Sequence, residues 1–204
     1  MELALFVIPV IIFSIILHEI AHGWSALFLG DETAKNAGRL TLNPISHIDP
    51  IGSILLPIIT YTTGFIFGYA KPVPYNPNNL RKVRALGKEW SEAIVAFSGP
   101  ATNIILACIF AAIYHVLSSP AISVMPIVLE GLAMAVVLNI FLAFLNLIPV
   151  PPLDGSKILF TFLPYKARRF MEQYQLMFIG AALLLILFTP ILEVPTMLLA
   201  EFLI

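Results

Sequence analysis

The chain has 204 residues, 59% of them hydrophobic and 11% charged, with a formal net charge of −1. Soluble domains carry about 25% charged residues, so a mean hydropathy of +0.95 and several apolar runs near the roughly 20 residues that cross a bilayer point to a polytopic membrane protein. There is no basic patch with interleaved aromatics, which excludes nucleic-acid binding, and the single cysteine, Cys108, excludes an internal disulfide and a cysteine metal site.

In chain order, the first apolar run covers 3–29. It is too long for a signal-peptide core and has no Lys or Arg before it, so cleavage is not expected. The second, 51–69, is apolar but rich in Gly, Thr and Pro. The third runs from Glu92 to Leu117, the fourth from Ile122 to Ile148 and the fifth from Phe170 to Ile191. A short amphipathic helix is expected over 155–163, and the chain ends in another apolar stretch, 196–204. The loop texts GRLTLNP and GYAKPVPYNP, bounded by Pro and Asn, read as short β-strands. No repeat or separate soluble segment is evident, so 1–204 reads as one integral membrane domain. Cys108, inside the third run, is expected to pack between helices.

All 11 Lys and Arg fall in three clusters: Lys35 and Arg39; 71–88; and 157–169. If basic loops stay cytoplasmic, all three want the same side. A full crossing by 51–69 would separate the first two, whereas a re-entrant excursion would not. The expected fold is therefore all-α, with about four full spans and one partial one, both termini outside, and short strands in the loops.

One stretch stands apart. LHEIAHGW, 17–24, places two histidines and a glutamate in the second half of the first apolar run. Spaced i, i+4, His18 and His22 lie on one helical face and can share one metal ion. Glu19 is placed to reach a water held there rather than the metal. HExxH is the zinc metalloprotease signature for these reasons, and such groups inside a span are functional by default because they are costly there.

A catalytic zinc takes three protein ligands and leaves a position for water. His47, in the polar loop NPISHIDP, and His115, late in the third run, read as structural or interfacial histidines. Glu130 falls near the outer interface, as a helix-start residue. Asp154 follows the proline-broken NLIPVPPL and precedes Gly155; it reads as an N-cap for the short helix, as the third ligand, or as both. Depth and charge favour the ligand: two neutral imidazoles, a carboxylate and a hydroxide neutralise Zn²⁺ in a low-dielectric setting.

With LHEIAHGW, SGPATN (98–103) and NLIPVPPLDG (146–155) together, the chain resembles the site-2 protease family of intramembrane zinc metalloproteases, in its compact prokaryotic branch, over about 15–160. The resemblance implies one zinc per chain on His18, His22 and Asp154, with Glu19 as catalytic base. Asn146 would lie near the reacting carbonyl, or otherwise pack between helices, and Asn103 would support a ligand from behind or pack. It further implies a transmembrane protein as substrate, a multi-pass location in a prokaryotic cell membrane, water entering from the cytoplasmic side near Asp154, and no PDZ or nucleotide-sensing module; Ser156 stands where the family often has glycine. The two loop strands could hold an extended substrate by strand addition. The alternatives are an interfacial zincin that cuts juxtamembrane peptides and a non-proteolytic metal-binding or transport protein, although the repeats usual in transporters are not evident.

Overall fold

The computed structural model describes residues 2–55, 58–59, 70–83 and 87–204. Helix α1 spans Glu2–Phe28. It stops where Gly30 takes φ +99°, with Gly30 N–H bonded to Leu27 O and Asp31 N–H to Ala26 O, both at 2.9 Å, the paired bonds of a glycine-terminated helix. A single turn, α2 (Thr33–Asn36), follows. Helix α3 covers Lys88–Leu117, with Pro100 inside it. Helix α4 covers Pro126–Leu147, opening on a proline that is pre-set for the first turn and closing ahead of Pro149. Four further helices complete the chain: α5 (Asp154–Phe160), α6 (Tyr165–Gln173), α7 (Gln175–Phe188) and α8 (Glu193–Leu203).

Among the described residues, three helices are long and apolar enough to cross a membrane: Leu5–Phe28, Glu89–Leu117 and Pro126–Leu147. The fourth expected span is a bent pair, α6 and α7 meeting at 75°, because the basic, amphipathic YKARRFMEQ cannot share the fully apolar environment that suits α7. Outward faces carry large apolar side chains such as Leu5, Trp24, Phe28, Ile105, Leu176 and Phe188, the pattern of helices solvated by lipid. Inside, α3 is central and packs against α1 and α4. The α3–α4–α8 contact is built on Ala107, Ala111, Val136, Ile140 and Ala200, and its three alanines let the backbones approach closely. Cys108, expected between helices, is exposed on α3; its neighbours Ala107 and Ala111 define the buried stripe instead.

The expected loop strands are absent among the described residues. In the described part of GYAKPVPYNP, Pro72, Pro74 and Pro77 have no N–H for a ladder. Side chains join the two loops instead: Arg39 Nη2 donates to Lys71 O at 2.8 Å. The same end of the bundle gathers all three basic clusters, since Arg168 Nη1 meets Glu89 Oε1 at 3.4 Å and Arg81 N–H bonds to Leu29 O at 2.8 Å. Lys71 N–H also bonds to His47 O at 2.9 Å, so the residues that bracket the second apolar segment lie together. The course of most of that segment, and with it the expected re-entrant excursion, falls outside the described residues.

Candidate metal centre

The helical spacing brings His18 and His22 to the α3-facing side of α1, both less than a tenth exposed. Each ring is held from behind. His22 Nδ1–H donates to Val95 O at 2.7 Å, and His18 Nδ1–H donates to Asn103 Oδ1 at 2.5 Å. Both Nδ1 protons are thereby committed to α3, and both Nε2 atoms turn to the same point, 3.0 Å apart.

Asp154 completes that point. Its Oδ2 lies 3.2 Å from His18 Nε2 and 3.3 Å from His22 Nε2. Three donors on a tetrahedral ion with bonds of about 2.0–2.1 Å stand about 3.3–3.4 Å apart, so the spacing fits a metal ion. Electrostatics agrees. With the Nδ1 protons directed outward, two ring lone pairs and a carboxylate oxygen converge and need a cation between them, a proton or a metal. Burial pushes the Asp154 carboxyl up, but with that proton on an imidazole the hydrogen bond and charge outweigh burial and bring the carboxyl to about 2, so it is an anion at neutral pH. Among the described residues these are the one set of three His, Cys, Asp or Glu side chains close enough to hold an ion.

The N-cap reading of Asp154 does not hold. The cap is Leu153, without a side-chain cap bond, and Asp154 is the first helical residue of α5, which frees its carboxylate for the histidines. Gly155 explains how α5 comes so close: a Cβ there would collide with Leu147 O and lie 2.5 Å from Ile148 O, backbone atoms at the end of α4.

A fourth side of the site is bare backbone. A Cβ at Gly99 would collide with His22 Nε2 and lie 2.6 Å from His18 Nε2. Pro100, next in the helix, has no N–H to give Ala96 O, and Ala96 lines the adjoining cavity. Gly99 was legible only as part of SGPATN; a Gly-Pro pair inside an apolar run was the available signal for it.

That cavity, of about 260 Å³, is bounded by His18, Glu19, His22, Pro72, Val73, Tyr75, Ala96, Asn146, Pro152, Leu153, Asp154 and Lys157. Glu19 is half-buried, and its Oε2 accepts the Val73 N–H at 2.8 Å. Asn146 gives one amide hydrogen to Leu142 O at 2.9 Å, which leaves the second N–H and the carbonyl for the cavity. Tyr75, which sequence reading passed over, keeps its phenol proton: burial first, then the Glu92 and Asp154 carboxylates, push it up to about 12. Asn103 stands directly behind His18. His47 and His115 lie elsewhere, donating through Nε2–H to Thr41 O at 2.8 Å and Leu203 O at 2.7 Å, and Glu130 is exposed on α4.

The comparisons with known proteins converge on one family. The sequence profile of peptidase family M50 matches residues 121–187. The chain is 36% identical over 172 residues to the Bacillus subtilis protein named "Putative zinc metalloprotease YwhC", covering 82% of this chain and 74% of that one. It is 32% identical over 142 residues to "Putative zinc metalloprotease Rip2" of Mycolicibacterium smegmatis, covering 70% of this chain and 51% of that protein. The like-named protein of Mycobacterium tuberculosis H37Rv is 28% identical over 169 residues, with 81% and 61% covered. No solved structure matches the chain. With most of both sequences shared at over a third identity, the chain belongs to peptidase family M50 and is a membrane zinc metallopeptidase.

Proposed function

We propose that the chain hydrolyses peptide bonds within or beside the transmembrane segments of other proteins, as a multi-pass protease of a prokaryotic cell membrane. The observation that carries the reading is the depth of the chemistry: His18, Glu19 and His22 lie inside the apolar helix Leu5–Phe28, and Asp154 is brought to them.

In this reading His18, His22 and Asp154 hold the zinc. Bound zinc supplies Lewis-acid chemistry, polarising a carbonyl and lowering the pKa of water towards about 7. Glu19, oriented by the Val73 N–H at 2.8 Å, takes the proton of the attacking water and returns it to the leaving amine. The free N–H of Asn146 serves the carbonyl oxygen as charge develops. Water enters past Asp154 and Lys157, beside the basic end of the bundle. A substrate helix must unwind locally, because helical peptide bonds are shielded by their own hydrogen bonds.

Metal analysis of the full chain in detergent, paired with a cleavage assay on single-span substrates, tests the reading. Wild type should carry zinc and cut, and Glu19→Gln should carry zinc and not cut. A Glu19→Gln protein with full activity would sink the mechanism. Cleavage confined to soluble peptides would favour the interfacial alternative, and zinc uptake without cleavage a binding or transport role.

A further inference from the structure

We infer that Asn139, midway along α4, is a positioning residue that decides which nitrogen of His18 is left bare for the metal. The inference rests on the zinc reading above and adds to it a residue that touches neither the ligand set nor the cavity. Asn139 and Asn103 are both 0% exposed. Asn139 Nδ2 donates to Ala135 O at 2.9 Å, Asn103 Nδ2 donates to Asn139 Oδ1 at 3.0 Å, and His18 Nδ1–H donates to Asn103 Oδ1.

The direction of the whole chain follows from its far end. Ala135 O is a carbonyl and can only accept, so the amide nitrogen of Asn139 must face it. The Asn139 oxygen then faces Asn103 and compels Asn103 to offer its nitrogen. The Asn103 oxygen therefore faces His18, which must carry its proton on Nδ1 and leave Nε2 bare. Without Asn139, the two ends of the Asn103 amide are nearly alike in shape, and a half-turn would present its NH₂ to His18 Nδ1. The proton would then sit on Nε2, where the ring cannot bind metal. His22 needs no such device, because a backbone carbonyl, Val95 O, takes its Nδ1–H directly.

The test is zinc affinity, measured by chelator competition on the full chain in detergent, with elution profile and unfolding temperature of the zinc-free protein as checks on the fold. Asn139→Leu should weaken zinc by about 10–100-fold, the usual cost of losing a ligand's outer partner. Asn139→Asp should stay within about threefold of wild type: as an anion it still accepts from Asn103, and when protonated it also donates to Ala135 O. A merely structural role predicts the reverse order, since a buried carboxyl disturbs packing at least as much as leucine. In an Asn103→Leu background, adding Asn139→Leu should weaken zinc no further. Asn139→Leu binding as tightly as wild type, Asn139→Asp binding as weakly as Asn139→Leu, or additive losses in the double variant would each overturn the inference while the zinc reading stands. If Asn139→Leu does not fold, Asn139→Asp against Asn103→Leu decides: tight and weak supports the inference, equally weak overturns it. A wild type that takes up no zinc overturns the zinc reading and this inference with it.

Discussion

The backbone N–H of Val73 donates to Oε2 of Glu19 at 2.8 Å, and Val73 is flanked by Pro72 and Pro74, which have no N–H to offer in its place. The loop thus presents one donor at this point, and the carboxylate takes it. Strand addition by a substrate at Val73 would have to compete for the same hydrogen.

Val73→Pro is therefore expected to lower kcat by about 10- to 100-fold, the scale of a misplaced catalytic group, while zinc stays bound. Val73→Ala, which keeps the N–H, should remain near wild type. Turnover numbers with zinc content on the same samples check this; equal losses in the two variants would assign the effect to the valine side chain.

Asp154→Asn is expected to weaken zinc at least as much as the roughly 10–100-fold that outer partners cost. In the zinc-free protein the variant also loses the carboxylate's contacts with His18 and His22, so its unfolding temperature should fall at neutral pH, while its helix content should match wild type because Asp154 makes no cap bond to α5. A destabilised chain with normal zinc affinity would restore the N-cap reading.

Two glycines offer a matched comparison. Gly99→Ala drives a methyl into both ligand nitrogens, and zinc affinity should fall by at least about tenfold. Gly180→Ala, in α7, meets nothing within 4 Å and should stabilise the helix by about 0.5–1 kcal/mol with zinc unchanged. Zinc titration and thermal unfolding of both variants check the pair; unchanged zinc binding in Gly99→Ala counts against the close approach of α3.

Acid sensitivity should trace to Asp31. It is fully buried; burial pushes its carboxyl up, but hydrogen bonds from Thr33, Asn76 and Asn79 outweigh it and leave it below its ordinary 3.8. A pKa depressed by folding gives stability that is present above the unfolded value and lost as pH falls through the folded one. Asp31→Asn, which must turn an NH₂ towards one of these donors, should be less stable than wild type at neutral pH by about 1–3 kcal/mol. The gap should narrow as pH drops below 3.8. Unfolding temperatures across that window decide it, and a constant gap would clear Asp31.

Much of the site was readable because its parts are local or costly. His18 and His22 are tied by one helical turn, and three ionisable groups inside an apolar run call for a purpose. Asp154 was reached by charge balance, and its place at the start of α5 was read to within one residue, as the cap rather than the first helical position. The expected strand in GYAKPVPYNP does not form because its three prolines remove ladder donors, and without it GRLTLNP has no partner strand among the described residues. Gly99 and Asn139 escaped notice for another reason: one acts by the absence of a side chain and the other through an intermediary, and neither leaves a local pattern. An asparagine midway along the apolar run of α4 was still the kind of polar residue that a span carries for cause.

The ligands come from the first helix and from the start of the fifth, with α3 and α4 threaded between them in sequence. An ion shared by His18, His22 and Asp154 would therefore staple the chain into a ring that includes both central helices. It restrains the open chain as a long-loop disulfide does, in a sequence whose single cysteine can form none within the chain. Because the outer partners of both rings lie on α3, the histidines are already aimed when α1 meets α3. An ion held there would tie α5, and with it the end of α4, back to the first helix.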